Sequence, residues 1–302
     1  MRNSFVNGLL EEAKKDESIL LITGDLGYGV IDRFAQELPK QFLNFGINEQ
    51  SMMGAAAGLA SKGFKPFVYS IGNFPTFRCL EQIRNDVCHM NLNVSIVALG
   101  AGFSYGTAGY SHHLVEDISA ISVLPNMSLY SPADTLEVTN VLPRMLAKAG
   151  PKYIRLGKGG EGQITEKFQE AVPGISIMSG STDIAVISTG NVLSEVVTAV
   201  DALAAELRPT IISVSEFDAL VDYIPTLRYR RILTVEEHLL RGGFGSIILE
   251  LLSQSKSVVY RKGIHSLSSQ ISGSQQYLRN HYEIGFESIL NSIQEINKEL
   301  SA

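Results

Sequence analysis

A chain of 302 residues is about two domains long at the usual ~150 residues each, and 45% hydrophobic against 19% charged residues supplies apolar side chains for two buried cores. A formal charge of -6, a pI of about 5.6, a mean hydropathy of +0.11 and no dense Lys/Arg run exclude the electrostatic footprint of a nucleic-acid or anionic-membrane binder. No stretch approaches the ~20 apolar residues of a membrane span, and MRNSFVNGLLEEAKKDE turns acidic where a secretory signal stays apolar, so a cytoplasmic protein is expected.

The first element is an amphipathic helix with Phe5, Leu9 and Ala13 on one face. Short apolar runs then predict strands at Ile19 to Thr23, Phe42 to Phe45, Pro66 to Tyr69, Val94 to Leu99, Met127 to Tyr130 and Tyr153 to Leu156. Helical patterns or glycine-rich loops separate them. Nearly continuous apolar strands between helices imply a parallel sheet covered on both faces, hence an α/β domain over residues 1–165. Polar, glycine-rich texture follows Leu156, and residues 166–181 are expected to form a linker. A second, smaller α/β domain over 182–302 carries strands at Asp183 to Ser188, Thr210 to Val214, Ile232 to Val235 and Ser257 to Tyr260. It also has helices after Asn191 and Gly243 and a closing helix from Glu287 to Leu300. The only cysteines, Cys79 and Cys88, lie nine apart in a predicted helix, where nine steps of about 100° place them on opposite faces. Unpaired, buried thiols in a reducing compartment are expected.

Glycines at 100, 102, 106 and 109 miss the dinucleotide fingerprint by one residue, and no G-x-x-x-x-G-K-[ST] loop is present, so the chain shows no diphosphate cradle of its own. Three clusters can carry chemistry. In FGINEQ, Glu49 opens a helix of small residues; it either suits the positive helix end beside a capping Asn48, or is a buried acid shifted toward its neutral form that gives a proton to a ring nitrogen. Phe74, Phe77 and Arg78 form either ordinary core or an aromatic slot for a flat heterocycle. His112 and His113, on a glycine-rich loop after a strand, are either satisfied polar groups or proton-transfer and substrate contacts, while with Glu116 and Asp117 they lack helical zinc spacing. Glu236, Glu237 and His238 read as a strand end turning into a helix, without a catalytic role.

Seven segments in order, GDLGYG, FGINEQSMMGAAAGLASKGFKPFVYS, FRCLEQIRNDV, GTAGYSHHLVEDIS, LPNMSLYSPAD, PKYIRLGK and TVEEHLLRGGFGS, resemble the C-terminal half of transketolase. The resemblance implies a pyrimidine-binding domain followed by a transketolase C-terminal-like domain, with thiamin diphosphate bound between chains. Glu49 matches the glutamate that bonds N1′ of the cofactor's aminopyrimidine and so promotes loss of the thiazolium C2 proton. Phe74 matches the ring-stacking phenylalanine, Asp25 and Leu26 the segment that approaches the cofactor, and His112 a substrate-contacting histidine. Ile71 and Phe77 stand where the family has Phe and Tyr or Gly.

The family's sugar-phosphate grip falls on Arg2, Gly29, Gly100 and Lys158, where serine, histidine and arginine are usual at the last three. Ala108 replaces an aspartate that reads an acceptor hydroxyl, and His113 a glutamine. These departures imply a ketol transfer involving a modified, deoxy or carrier-linked sugar. The N-terminal half of the family, with its Gly-Asp-Gly to Asn segment for diphosphate and Mg2+ or Ca2+, has no counterpart here. A separate diphosphate-binding subunit is therefore implied, in an α2β2 assembly, with this chain inactive alone. The alternatives are the β subunit of a 2-oxo-acid dehydrogenase-type decarboxylase, deoxyxylulose phosphate synthase and a non-catalytic partner subunit.

Overall fold

A computed structural model of the chain describes residues 1–301. The first half runs α1 (Arg2–Ala13), β1 (Ile19–Thr23), α2 (Asp32–Glu37), β2 (Phe42–Asn44), α3 (Glu49–Ala60), β3 (Lys65–Ile71), α4 (Asn73–Phe77) and α5 (Leu80–Gln82). A π-helical turn (Ile83–Cys88), β4 (Ser95–Leu99), α6 (Asp117–Ile121), β5 (Ser128–Tyr130), α7 (Thr135–Ala147) and β6 (Lys152–Leu156) complete it. The second half runs β7 (Gln169–Val172), β8 (Ile175–Met178), β9 (Ile184–Thr189), α8 (Leu193–Asp201), β10 (Thr210–Val214), α9 (Leu220–Tyr223) and β11 (Arg231–Leu239). It ends with α10 (Phe244–Leu251), β12 (Val258–Ile264), α11 (Gln275–His281) and α12 (Phe286–Ser301).

The first sheet has the order β2-β1-β3-β4-β6-β5, and every pairing in it is parallel. Its central strands are buried because helices cover both faces: every residue of β1, β4 and β6 is buried, including Lys152 and Arg155 of β6. One face packs Met52, Met53 and Ala56 of α3, and the other packs Phe5, Leu9 and Leu10 of α1. From β1 the chain steps outward to β2, then returns past β1 to β3. Loops at the C-terminal ends of β1 and β3 therefore diverge and leave a crevice, the usual ligand position in an open α/β sheet.

The second sheet has the order β12-β11-β9-β10-β8-β7. Four strands are parallel, but β7 and β8 form an antiparallel hairpin on the edge of β10. Most of the expected linker 166–181 is thus folded sheet, turned at Gly174 with φ 85. Its sequence, QEAVPGISIM, alternates too weakly to announce strands because β7 is exposed and β8 only half-buried. β11 also runs past the expected Val235 and takes Glu236, Glu237 and His238 into the strand.

The cysteine geometry needs correction as well. The predicted single helix is three short pieces, the last a π turn, so ideal helical steps do not apply, and both thiols enter one core. Both are free, and burial pushes them up to about 12 for Cys79 and about 11 for Cys88, which leaves them unreactive thiols. No helix among the described residues is long and apolar enough to cross a membrane.

Candidate active site

The loops following β1, β2, β3, β4 and β6 meet at one end of the first sheet and bring most of the expected site residues together. Glu49 is the first residue of α3, capped by Asn48, whose side chain accepts from Ser51 N at 3.4 Å. It is buried, at 5% exposure, yet its surroundings are not purely apolar. Arg78, half exposed, donates from Nη1 to Glu49 Oε2 at 3.0 Å. Glu49 Oε1 has no hydrogen-bond partner among the described residues. The Arg78 guanidinium also lies 4.2 Å from the centre of the Phe74 ring. A flat, delocalised cation thus rests on an aromatic face while bonded to a buried acid.

Phe74 touches the next group: its ring centre is 5.4 Å from that of His112, edge to face. Asn73 fixes this pairing by donating from Nδ2 to the carbonyls of Ser111 at 3.0 Å and His113 at 2.9 Å, which ties α4 to the histidine loop. His112 Nδ1 shares a hydrogen bond with Ser111 Oγ at 3.0 Å. On its far side Tyr105 lies 6.4 Å away, and Lys158 Nζ stands 5.4 Å from the Tyr105 ring centre. Glu49, Arg78, Phe74, His112, Tyr105 and Lys158 therefore form one continuous row.

The loop after β1 adds Asp25, held in left-handed backbone (φ 56) by an exchange with Asn44: Asp25 N donates to Asn44 Oδ1 at 3.0 Å. The Tyr28 hydroxyl bonds Asp25 Oδ1 at 2.7 Å, and with the Asn44 amide it holds the Asp25 carboxyl below its ordinary range. Leu26 on the loop after β1 and Ile71 at the end of β3 are half-buried, and Gly29 is exposed with its N–H donating to Asp32 Oδ2 at 2.9 Å. Arg2, on the first turn of α1, has a buried Nε without a partner, and so does the nearby Tyr69 hydroxyl. Tyr28 (75% exposed), Ile47 (80%), Phe77 (39%) and Tyr110 surround the row as an exposed, largely apolar face.

Two expected substrate contacts need correction. His113 is buried and points away from the crevice, with Nε2 bonded to the Gly106 carbonyl at 3.1 Å and its ring edge-on to Phe103. His112 closes a 3-10 turn (Tyr110–His112) and His113 leaves it in extended backbone, so the two rings diverge and the core takes the second. Gly100 offers the crevice no side-chain position, because a Cβ built there would lie 2.2 Å from the Tyr105 ring. Ala108 is exposed on the same loop. Among the described residues no group of three or more His, Cys, Asp or Glu could hold a metal ion.

The family model described as "Transketolase, pyrimidine binding domain" matches residues 1–160, and "Transketolase, C-terminal domain" matches 175–289. The chain belongs to the transketolase family. One of the subunits of the apulose-4-phosphate transketolase of Phocaeicola vulgatus is 30% identical over 99% of this chain and 97% of its own length. The 6-deoxy-6-sulfo-D-fructose transketolase subunit SqwH of Clostridium sp. is 29% identical over 99% of this chain and 94% of its own. A solved split gene transketolase, described as an inactive beta4 tetramer, superposes with a TM-score of 0.82 at 28% identity over 97% of this chain and 96% of that one. This transketolase-family chain therefore spans nearly the full length of separately encoded transketolase subunits.

Within the family frame, the sequence named Arg78 only as part of an aromatic slot with Phe74 and Phe77. It follows Phe74 by four residues, a spacing that puts its cation over the ring on one helical face. Asn73 and Tyr105 have no such signal, since their partners come from other loops.

Proposed function

We propose that this chain is the C-terminal subunit of a two-component, thiamin diphosphate-dependent transketolase, moving a two-carbon ketol unit from a ketose to an aldose. The observation that carries the reading is the half-partnered, buried Glu49 beside the Phe74 face. An aminopyrimidine needs a buried acid with a free oxygen for a ring nitrogen and an apolar face for the ring, and these residues fit that need. The Arg78 guanidinium, itself flat and cationic, already rests on that face.

Bound thiamin diphosphate supplies a carbon nucleophile that accepts the ketol unit. Glu49 holds a proton at the pyrimidine nitrogen. Phe74 orients the ring, with Asp25, Leu26, Ile71 and Phe77 around it, and the exposed face closes against the second subunit and excludes water. His112 hydrogen-bonds the reacting carbonyl end of the sugar. Arg2 and Lys158 attract the charged end, with Gly29 and Ala108 leaving room beside them. The diphosphate and its divalent cation, Mg2+ or Ca2+, belong to the diphosphate-binding subunit. An α2β2 assembly in the cytoplasm places two such sites at subunit contacts. Two relatives named for unusual sugars, apulose 4-phosphate and a deoxysulfofructose, support a substrate other than a standard pentose or hexose phosphate.

The test is reconstitution with the cognate diphosphate-binding subunit. The wild-type complex should exchange the C2 proton of the cofactor rapidly, and Glu49→Ala should slow it by roughly two to four orders of magnitude. Equal rates would sink the assignment. Feeding a ketose and recovering a shortened aldose, rather than carbon dioxide from a 2-oxo acid, separates ketol transfer from decarboxylase chemistry.

A further inference from the structure

Gly100 follows β4 in left-handed backbone (φ 90), and the space above it belongs to another residue: a Cβ at 100 would meet Tyr105 Cδ2 at 2.2 Å and Cε2 at 2.5 Å. The ring also stands between His112 and Lys158, with Lys158 Nζ 5.4 Å from its centre, so part of that cation's attraction is spent on the ring. Its position is fixed from both sides along the chain. Phe103 N donates to the buried Glu237 Oε1 at 2.8 Å, and the Gly106 carbonyl accepts from Gly273 N at 3.2 Å, both contacts coming from the second domain. Leu278 and the Gly273 carbonyl press so closely on Gly106 that no side chain fits there. The Tyr105 backbone is thus held between two braced residues. Nearby, Arg2 Nε and the Tyr69 hydroxyl are buried without partners.

We propose that Tyr105 is the specificity-determining residue of this site: its fixed ring fills the space over Gly100, shortens the cleft between His112 and Lys158, and selects a compact sugar over a linear ketose phosphate with an extended end. The proposal rests on the ketol-transfer reading above and adds the class of sugar to it. A ring whose backbone is braced from a second domain, and which itself packs against the core of the first domain and beside His112, discriminates by volume.

The experiment uses the complex reconstituted with its diphosphate-binding subunit and compares kcat/KM for xylulose 5-phosphate, whose chain reaches the Lys158 end, with hydroxypyruvate, which does not. Tyr105→Ala should raise the ratio of the two at least about tenfold, and Tyr105→Phe, which keeps the ring, should leave it within about threefold. A purely structural role would lower both substrates together and leave the ratio alone. An unchanged ratio in Tyr105→Ala, with normal C2 proton exchange in every variant, overturns the proposal and leaves the transketolase reading standing. Absence of exchange and of ketol transfer in the wild-type complex overturns both. If Tyr105→Ala does not fold, Tyr105→Leu reads the same ratio. Melting of the isolated chain gives a second measure: Gly100→Ala should lower Tm more with Tyr105 present than in the Tyr105→Ala background. Equal losses would mean that the ring does not occupy that space, and the proposal falls.

Discussion

At the C-terminal end of the first sheet, buried Glu49 keeps one oxygen without a partner and stands beside the exposed Tyr28 and Ile47. The corresponding end of the second sheet also holds buried glutamates, but each is saturated. Glu236 accepts from Phe244 N at 2.6 Å and Gly245 N at 2.9 Å, so it anchors the start of α10. Glu237 accepts from Phe103 N, Gln275 and Arg279, and Arg279 reaches on to Glu195 at 3.1 Å and Asn191 at 3.1 Å. Burial alone therefore does not mark a reactive acid. An acid with both oxygens bonded inside the chain holds the molecule together, and an acid with an open oxygen at a crevice can exchange a proton with a guest.

Substitutions at the two ends should part company accordingly. The largest expected effect is the two to four orders of magnitude lost in cofactor proton exchange on Glu49→Ala, with the melting temperature of the isolated chain nearly unchanged because Arg78 is half exposed and can turn to water. Arg279→Ala should do the reverse and cost about 3 to 5 kcal/mol in denaturant unfolding, since it strands Glu195 and Glu237 as buried charges without their cation. A fully stable Arg279→Ala protein would break the contrast. Between these lies Asn73→Ala, which frees the histidine loop from α4. It should lower kcat about tenfold through misplacement of His112 and cost only about 1 kcal/mol of stability.

A last effect is on pH dependence. Glu137 lies at the junction of the halves, its carboxylate accepting from Ala133 N at 2.7 Å and Ser213 Oγ at 2.6 Å, and burial raises it from 4.5 to about 7. The folded chain then keeps a proton that the unfolded chain releases, so this contribution to stability is complete below 4.5 and lost as pH climbs to about 7. Glu137→Gln should flatten that part of the Tm against pH curve. A slope identical to wild type would assign the pH dependence elsewhere.

Most strands are legible in sequence texture because fully buried ones such as Ile19–Thr23 and Ser95–Leu99 are largely apolar, while their order in the sheet is not. Glu49 was legible from its setting between a strand and a helix of small residues. The hairpin at 169–178 was not, since an exposed edge strand such as Gln169–Val172 has no apolar run to display. Nor could spacing reveal that the core takes His113 rather than His112, or that the Tyr105 ring sits on Gly100. Those facts depend on contacts across 5 to 134 positions of chain, such as Tyr105 with Gly100 and Phe103 with Glu237.

The same unannounced hairpin protects the molecule from itself. Without β7 and β8, strand β10 would present the open ladder of Thr210–Val214 to any passing copy. Instead the outermost strand is four residues long, irregular in register, and shows Gln169 and Glu170 to water. Such a blunt, acidic border offers a poor template for stacking copies edge to edge.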